Sequence, residues 1–271
     1  MSESIIIKKK IRDFSKTITV SGDKSISIRW VLLSSLADGV STAKNLLISE
    51  DVKAALGAIK QLGIKSKIEK DSCKIYGKGI NGYKFKKNIV INSENSGTLG
   101  RLILGLLIKT PFPIKLIGDK SLSRRDFKRI SDPLSKFGAK FNLNKKKYLP
   151  LKILGSPKLK AIKYFETKGS AQCKSSVLFG GMKAEGTTFI KAKKSRNHTE
   201  LMLKYLNLPI TIKNKKYHDE IKIKKVRNLK VLNYKIPADI SSSAFFIVLT
   251  ALSTNSELII KNVNINSSRL G

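Results

Sequence analysis

The chain has 271 residues, 41% hydrophobic and 27% charged, and 54 Lys and Arg against 19 Asp and Glu give a net charge of +35. That profile suits a soluble globular protein, and the longest apolar runs, 102–108 and 244–252, are too short to cross a bilayer. The start MSESIIIKKK is not read as a secretory signal, and two cysteines with two histidines offer no ligand spacing, which argues against a zinc site and points to a reducing cytosol.

In chain order, 17–20 alternates as a strand. A helix follows over 27–37 with Ile28, Leu32 and Leu36 on one face. Residues 41–47 are extended, 51–62 form a second helix with an acidic start, and 65–68 with 72–76 read as a hairpin. The order then recurs. Asn95-Ser96-Gly97-Thr98 precedes LGRLILGLL, and the next helix contains Pro133, where it is expected to begin or kink. Ser170-Ala171-Gln172-Cys173-Lys174-Ser175 precedes SVLFGGMKAEG, and Asp239-Ile240-Ser241-Ser242-Ser243 precedes AFFIVLTAL. The second helices of the three full copies end at Gly63, Gly138 and Asn207, residue types that suit a left-handed cap. IKNVNINSSRLG parallels AKNLLISEDVKAAL of the first copy, so the fourth copy is expected to stop within its repeat at Gly271, part of the fold being absent. The fold class is α/β, built from repeated strand-helix-strand-helix-strand-strand units that must stack to bury their apolar faces.

The charge admits a nucleic-acid reading. Against it, the lysines form short scattered runs and aromatics are only 7%. A smaller anion fits better. A helix start offers free N–H groups and a positive dipole end, and here several carry basic or hydroxyl residues: Lys24, Ser25 and Arg29; Asn95, Gly97, Thr98 and Arg101; Arg124 and Arg125; Ser170, Gln172 and Lys174; Ser195 and Arg196. Each alone is explained by helix capping or a solvated surface. Their recurrence at one place in every copy suggests a shared site for a ligand with several anionic groups.

The segments VSGDKSISIRWVLLSSLADG, NSGT with Arg101, GDKSLSRRDFKRI, KGSAQCKSSVLFGG, KSRNHTELM and IPADISSSAFF resemble, in this order, the signature segments of the 5-enolpyruvylshikimate-3-phosphate synthase family. The resemblance implies two similar domains of three βαβαββ units each, an inside-out α/β barrel arrangement, with the active site in the cleft between them. On that pattern, 1–23 belongs to the other domain, 24–236 forms a three-unit domain, and 237–271 begins the second. It implies transfer of the enolpyruvyl group of phosphoenolpyruvate to the 5-hydroxyl of shikimate 3-phosphate, without metal or organic cofactor, by a cytoplasmic monomer on the route to aromatic amino acids.

By the same resemblance, Lys24 touches both substrates. Ser25 and Arg29 hold the shikimate carboxylate. Asn95, Gly97 and Thr98 shape the phosphoenolpyruvate turn, and Arg125 holds its phosphate. Ser170, Ala171 and Gln172 cradle the shikimate phosphate, with Ser195 adding a hydroxyl. His198 stands where some members carry tyrosine. The family's acidic proton-transfer residue has no match in this chain, so no catalytic residue is assigned and the chain alone is expected to be inactive. Asp126 and Phe127 replace a Pro-Met pair, Ile28 and Trp30 flank Arg29 where smaller or polar residues are usual, and Ala238 replaces a hinge glycine. A non-catalytic binder of phosphorylated ligands is the alternative, and a nucleic-acid binder a more distant one.

Overall fold

The computed structural model describes residue 6, residues 11–70 and residues 72–270. The chain starts with β1 (Ser15–Ile18), and the first copy follows as α1 (Lys24–Ser34), β2 (Asp38–Lys44), α2 (Glu50–Gln61), β3 (Lys65–Glu69) and β4 (Ser72–Lys78). The second is β5 (Val90–Asn92), α3 (Gly97–Leu107), β6 (Ile114–Ile117), a short α4 (Lys120–Ser123), α5 (Lys128–Ser135), β7 (Lys140–Asn144) and β8 (Tyr148–Leu154). The third is β9 (Lys163–Glu166), α6 (Ala171–Gly181), β10 (Thr187–Lys193), α7 (His198–Tyr205), β11 (Ile210–Asn214) and β12 (His218–Lys224). Then come β13 (Tyr234–Lys235), α8 (Ile240–Ala251) and β14 (Glu257–Ile260).

The repeat is an α/β unit with one sheet per copy. Two copies give the strand orders β5-β6-β8-β7 and β9-β10-β12-β11, in which the first pair is parallel and the last two antiparallel. The first copy gives β13-β2-β4-β3. Its leading place is therefore filled by β13, from beyond the third copy, running parallel to β2. The strand that precedes it, β1, pairs in parallel with β14 instead. Two chain passes lie side by side at this exchange. Asp23 N–H donates to Pro237 O at 2.8 Å and Asp239 N–H to Ser21 O at 2.9 Å. Gly22 is needed there, because a Cβ would lie 2.1 Å from Asn45 O. Ala238, at the expected glycine hinge, bridges both Gly22 and Val263 and is fully buried.

Helices stand inside and sheets outside. In α1, α3 and α6 nine residues each are buried, on every face of the helix. A helix apolar all round belongs in a core. Gly105 of α3 meets the backbone of α6, where a Cβ would stand 2.2 Å from Ser176 O. The three outer sheets are separate in their strand ladders among the described residues and are joined through the inner helices.

The three left-handed caps stand as the pattern required: Gly63, Gly138 and Asn207 have φ of +83°, +116° and +52°. Other boundaries move. The helix expected over 27–37 starts three residues earlier, because Asp23 supplies its cap by accepting from Ile26 N–H at 3.0 Å. The extended segment expected over 41–47 lies at 38–44, where β2 can pair with β4. Helix α5 begins at Lys128 and not at Pro133, which sits inside it. The bulky flanks of Arg29 are core: Trp30 is fully buried and its Nε1–H donates to Leu232 O at 2.8 Å. Helix α8 differs from the three inner helices. Only Ser243 is buried, while Phe245 is 80% and Leu252 82% exposed.

Candidate anion-binding site

Each of the four corresponding helices opens on a side chain that accepts a backbone N–H: Asp23 for α1, Ser96 for α3, Ser170 for α6 and Asp239 for α8. That cap fixes where the chain turns, and so where the residues of the first turn are presented. The first turns of α3 and α6 meet. Gln172 Nε2 donates to Thr98 Oγ1 at 3.0 Å, and its Oε1 accepts from the Arg101 guanidinium. Phe127, in place of the usual residue, is fully buried and lies 5.5 Å beneath the Arg101 guanidinium. Asp126 sits 3.8 Å from Lys147 and leaves Arg125 free of it.

Asn95 fixes the next turn. Its Nδ2 donates to Asp119 at 2.7 Å and its Oδ1 accepts from Arg125 at 3.0 Å. Gly97 lies between two guanidiniums. A Cβ there would stand 3.0 Å from one nitrogen of Arg125 and 3.1 Å from one of Arg101. The glycine thus leaves two cations converging on an open backbone turn at the start of α3, a geometry suited to a phosphate or carboxylate.

A second group forms where α1, α6 and α7 meet. Arg29 is 3% exposed. Its Nε donates to Thr199 Oγ1 at 2.7 Å, and its two terminal nitrogens donate to Ser25 O at 2.9 Å and Ser175 Oγ at 3.2 Å. Burial lowers its pKa to about 10, opposed by the charge of Glu200, so it stays a cation at neutral pH. His198 is buried at the start of α7 with neither ring nitrogen partnered. Burial first, and then the charges of Arg29, Arg269 and Arg196, push it down to about 3. It is a neutral imidazole at physiological pH.

Lys24, the first residue of α1, is half exposed and pairs with Asp51 of α2 at 3.3 Å. Ala171 opens α6 beside the Ser170 cap, and the Ser170 N–H donates to Glu166 at 2.9 Å. Ser195 lines a cleft of about 400 Å³ with Lys194, Asn197 and Ser268, and its Oγ is buried without a partner. Of the predicted residues, Asn95, Gly97, Thr98, Arg125 and Gln172 are brought together around Arg101, and Ser25 is joined to Arg29, while Lys24, Ser170 and Ser195 contact other partners or line a separate cleft. Helix α6 joins Arg101 and Arg29, through Gln172 to the first and Ser175 to the second.

Lys174 is the correction. Grouped with the helix-start cations on sequence, it is fully buried and its Nζ lies 2.6 Å from Glu200, so its charge is matched within the protein. Residues 174 and 200 had no pairing signal in the sequence beyond opposite charge. Thr199 and Ser175, which hold Arg29, were also missed, since a hydroxyl in a helix has no signature of its own. Arg269 is a further addition, 3.5 Å from Asp23 and 3.3 Å from Asp239.

Buried polar atoms in native proteins are almost always hydrogen-bonded. Here Arg101 Nε, Ser195 Oγ and both nitrogens of His198 are buried without a partner. Arg101 and His198 are thus left with ring or guanidinium nitrogens that no group of the chain satisfies. Among the described residues, no group of three or more His, Cys, Asp or Glu is placed to hold a metal ion.

The sequence profile described as EPSP synthase (3-phosphoshikimate 1-carboxyvinyltransferase) matches residues 8–271. A 3-phosphoshikimate 1-carboxyvinyltransferase of Caldicellulosiruptor bescii is 41% identical over 264 residues, 96% of this chain and 60% of that protein. One of Leuconostoc mesenteroides is 39% identical over 255 residues, 94% of this chain and 58% of its own length. Among solved structures, EPSP synthase from Acinetobacter baumannii superposes with a TM-score of 0.87 at 34% identity, covering 95% of this chain and 57% of that one. The chain thus spans about three fifths of the length of these relatives.

Proposed function

The chain belongs to the EPSP synthase family, and on that premise we propose that it carries the shikimate 3-phosphate site and part of the phosphoenolpyruvate site of an enolpyruvyl transferase. The overall reaction joins the 5-hydroxyl oxygen of shikimate 3-phosphate to C2 of phosphoenolpyruvate while C3 gains a proton. Loss of phosphate and of a C3 proton then gives the enol ether.

The observation that carries this reading is that α6 joins Arg101 and Thr98 of α3, through Gln172, to Arg29 of α1, through Ser175, with the unpartnered His198 opening α7. Arg29, held in one orientation by Thr199, Ser175 and Ser25 O, presents its planar cation to the shikimate carboxylate. Ser170, Ala171, Gln172, Ser195 and neutral His198 surround the shikimate phosphate, where the imidazole acts as a hydrogen-bond donor. Arg125, Arg101 and the open turn at Gly97 take the phosphoenolpyruvate anion, with Lys24 between the two substrates. The residues assigned here bind and orient; none is assigned a proton transfer. In the same reading the protein acts in the cytosol as a monomer. No described helix is long and apolar enough to cross a membrane.

The test is ³¹P NMR with the purified protein. Phosphate appearing only when both shikimate 3-phosphate and phosphoenolpyruvate are present supports the reading. Phosphate release from phosphoenolpyruvate alone, or no binding of shikimate 3-phosphate, would overturn it.

A further inference from the structure

A second cavity, of about 520 Å³, lies at the opposite ends of the inner helices. It is lined by Tyr83, Phe85, Pro111, Pro157 and Gly155, with Lys109, Thr110 and Lys183 as its polar members apart from Asn81. Lys109, Thr110 and Pro111, just past the end of α3, form one wall. Thr110 N–H and Oγ1 both bond Leu107 O, at 3.1 and 2.8 Å. Gly155 closes one side against Thr110, where a Cβ would stand 2.3 Å from the Thr110 nitrogen.

Lys183 is the unusual member. It is only 6% exposed, yet none of the ion pairs among the described residues includes it. Its Nζ donates to Leu106 O at 2.8 Å and lies 5.1 Å over the ring of Tyr83. Tyr83 is in turn held by a 2.7 Å hydrogen bond between its hydroxyl and Ser35 Oγ at the end of α1. An ammonium has three donors, of which one meets a carbonyl and one a ring face, and burial beside Lys109 disfavours the charged form as long as no anion faces it. A second cation, Lys109, borders the same space and repels it. Buried charges are ordinarily paired. A cavity with apolar and aromatic walls and a few convergent polar groups is the usual form of a small-molecule site.

We propose that this cavity binds a small organic monocarboxylate with a planar apolar body, its carboxylate against Lys183 and Lys109 and its body against Tyr83 and Phe85. A carboxylate supplies the missing counter-charge and accepts the spare N–H groups of Lys183. The ring walls explain why the occupant is organic and not a simple inorganic ion. Net charge decides the sign, since no carboxylate of the chain lines the cavity. This inference stands independently of the substrate assignment above.

The experiment titrates benzoate, and its neutral isostere benzamide, into the full chain and follows backbone amides by NMR. Benzoate is expected to saturate with shifts centred on Tyr83, Phe85, Thr110 and Gly155, at least about tenfold tighter than benzamide. Lys183→Met, checked for folding by circular dichroism, is expected to erase that preference, and Lys109→Ala to weaken it less. The benzoate and benzamide comparison on the unaltered chain holds even if a variant fails to fold. Equal binding of the two probes, shifts confined to the first turns of α1, α3 and α6, no saturation at about 10 mM benzoate, or an unchanged benzoate affinity in Lys183→Met would each overturn the proposal.

Discussion

Helices α1, α3 and α6 are used at both ends, and the two ends differ in kind. Towards their N-terminal ends stand Lys24, Arg29 and Arg101, with Arg125 from the turn after α4 beside Gly97, and several buried donors there have no partner. Cation and helix dipole there have the same sign, so the fold alone leaves the charge uncompensated. At their last turns a single buried amine, Lys183, rests on the α3 carbonyl of Leu106. Cation and dipole there are opposite, which is the stabilising arrangement. The lesson is that buried cations meet a dipole of like sign at one end of these helices, while at the other a single buried amine meets a carbonyl but no carboxylate of the chain.

Variants can break this comparison. The largest effect is expected from Arg29→Ala, which removes a buried cation and frees the hydroxyls of Thr199 and Ser175. Affinity for shikimate 3-phosphate should fall about 10–100-fold by calorimetry, and Arg29→Lys should recover only part of it, since a lysine cannot hold both hydroxyls.

Gly97→Ala comes next. Its Cβ meets the guanidiniums of Arg125 and Arg101 at 3.0 and 3.1 Å, and both must shift. Phosphoenolpyruvate affinity is expected to drop roughly tenfold while shikimate 3-phosphate affinity changes less. Equal losses for the two ligands would contradict the assignment of Gly97 to one of them.

At the other end, burial and the charge of Lys109 push Lys183 down to about 7 from 10.5. Between those values the unfolded chain binds a proton that the folded chain has lost, so stability rises with pH across that window, and the penalty is complete below it. The groups facing the amine are Lys109, Tyr83 and the Leu106 carbonyl. Lys183→Met should therefore raise stability by about 1–2 kcal/mol at about pH 6, with the advantage shrinking towards about pH 10 in urea melts. The smallest effect is expected from Ser195→Ala, a loss of roughly three- to tenfold in affinity for shikimate 3-phosphate.

The repeat and its caps were legible because they depend on local chemistry. Gly63, Gly138 and Asn207 announce the end of a helix, and an apolar run such as LGRLILGLL can only be core. The cluster of Asn95, Gly97, Thr98, Arg101, Arg125 and Gln172 was legible as recurring polar helix starts, since each lies in or next to a capped turn. What escaped was everything set by distant contacts. The substitution of β13 for β1 beside β2 is a choice between two similar strands, which pairing alone decides. The burial of Lys174 depends on Glu200, 26 positions away and without a helical spacing to mark it. Lys183 reads as one lysine among many until the α3 carbonyl and the Tyr83 ring are seen around it.

The central claim is that the first turns of α1, α6 and α7 form a site for a phosphorylated carboxylate anchored by Arg29. Calorimetric titration of shikimate 3-phosphate into the chain, beside Arg29→Ala, tests it most directly. The account predicts saturable binding that weakens as salt is added and that falls at least about tenfold in the variant. Equal affinity in the two proteins, or none in either, would contradict it.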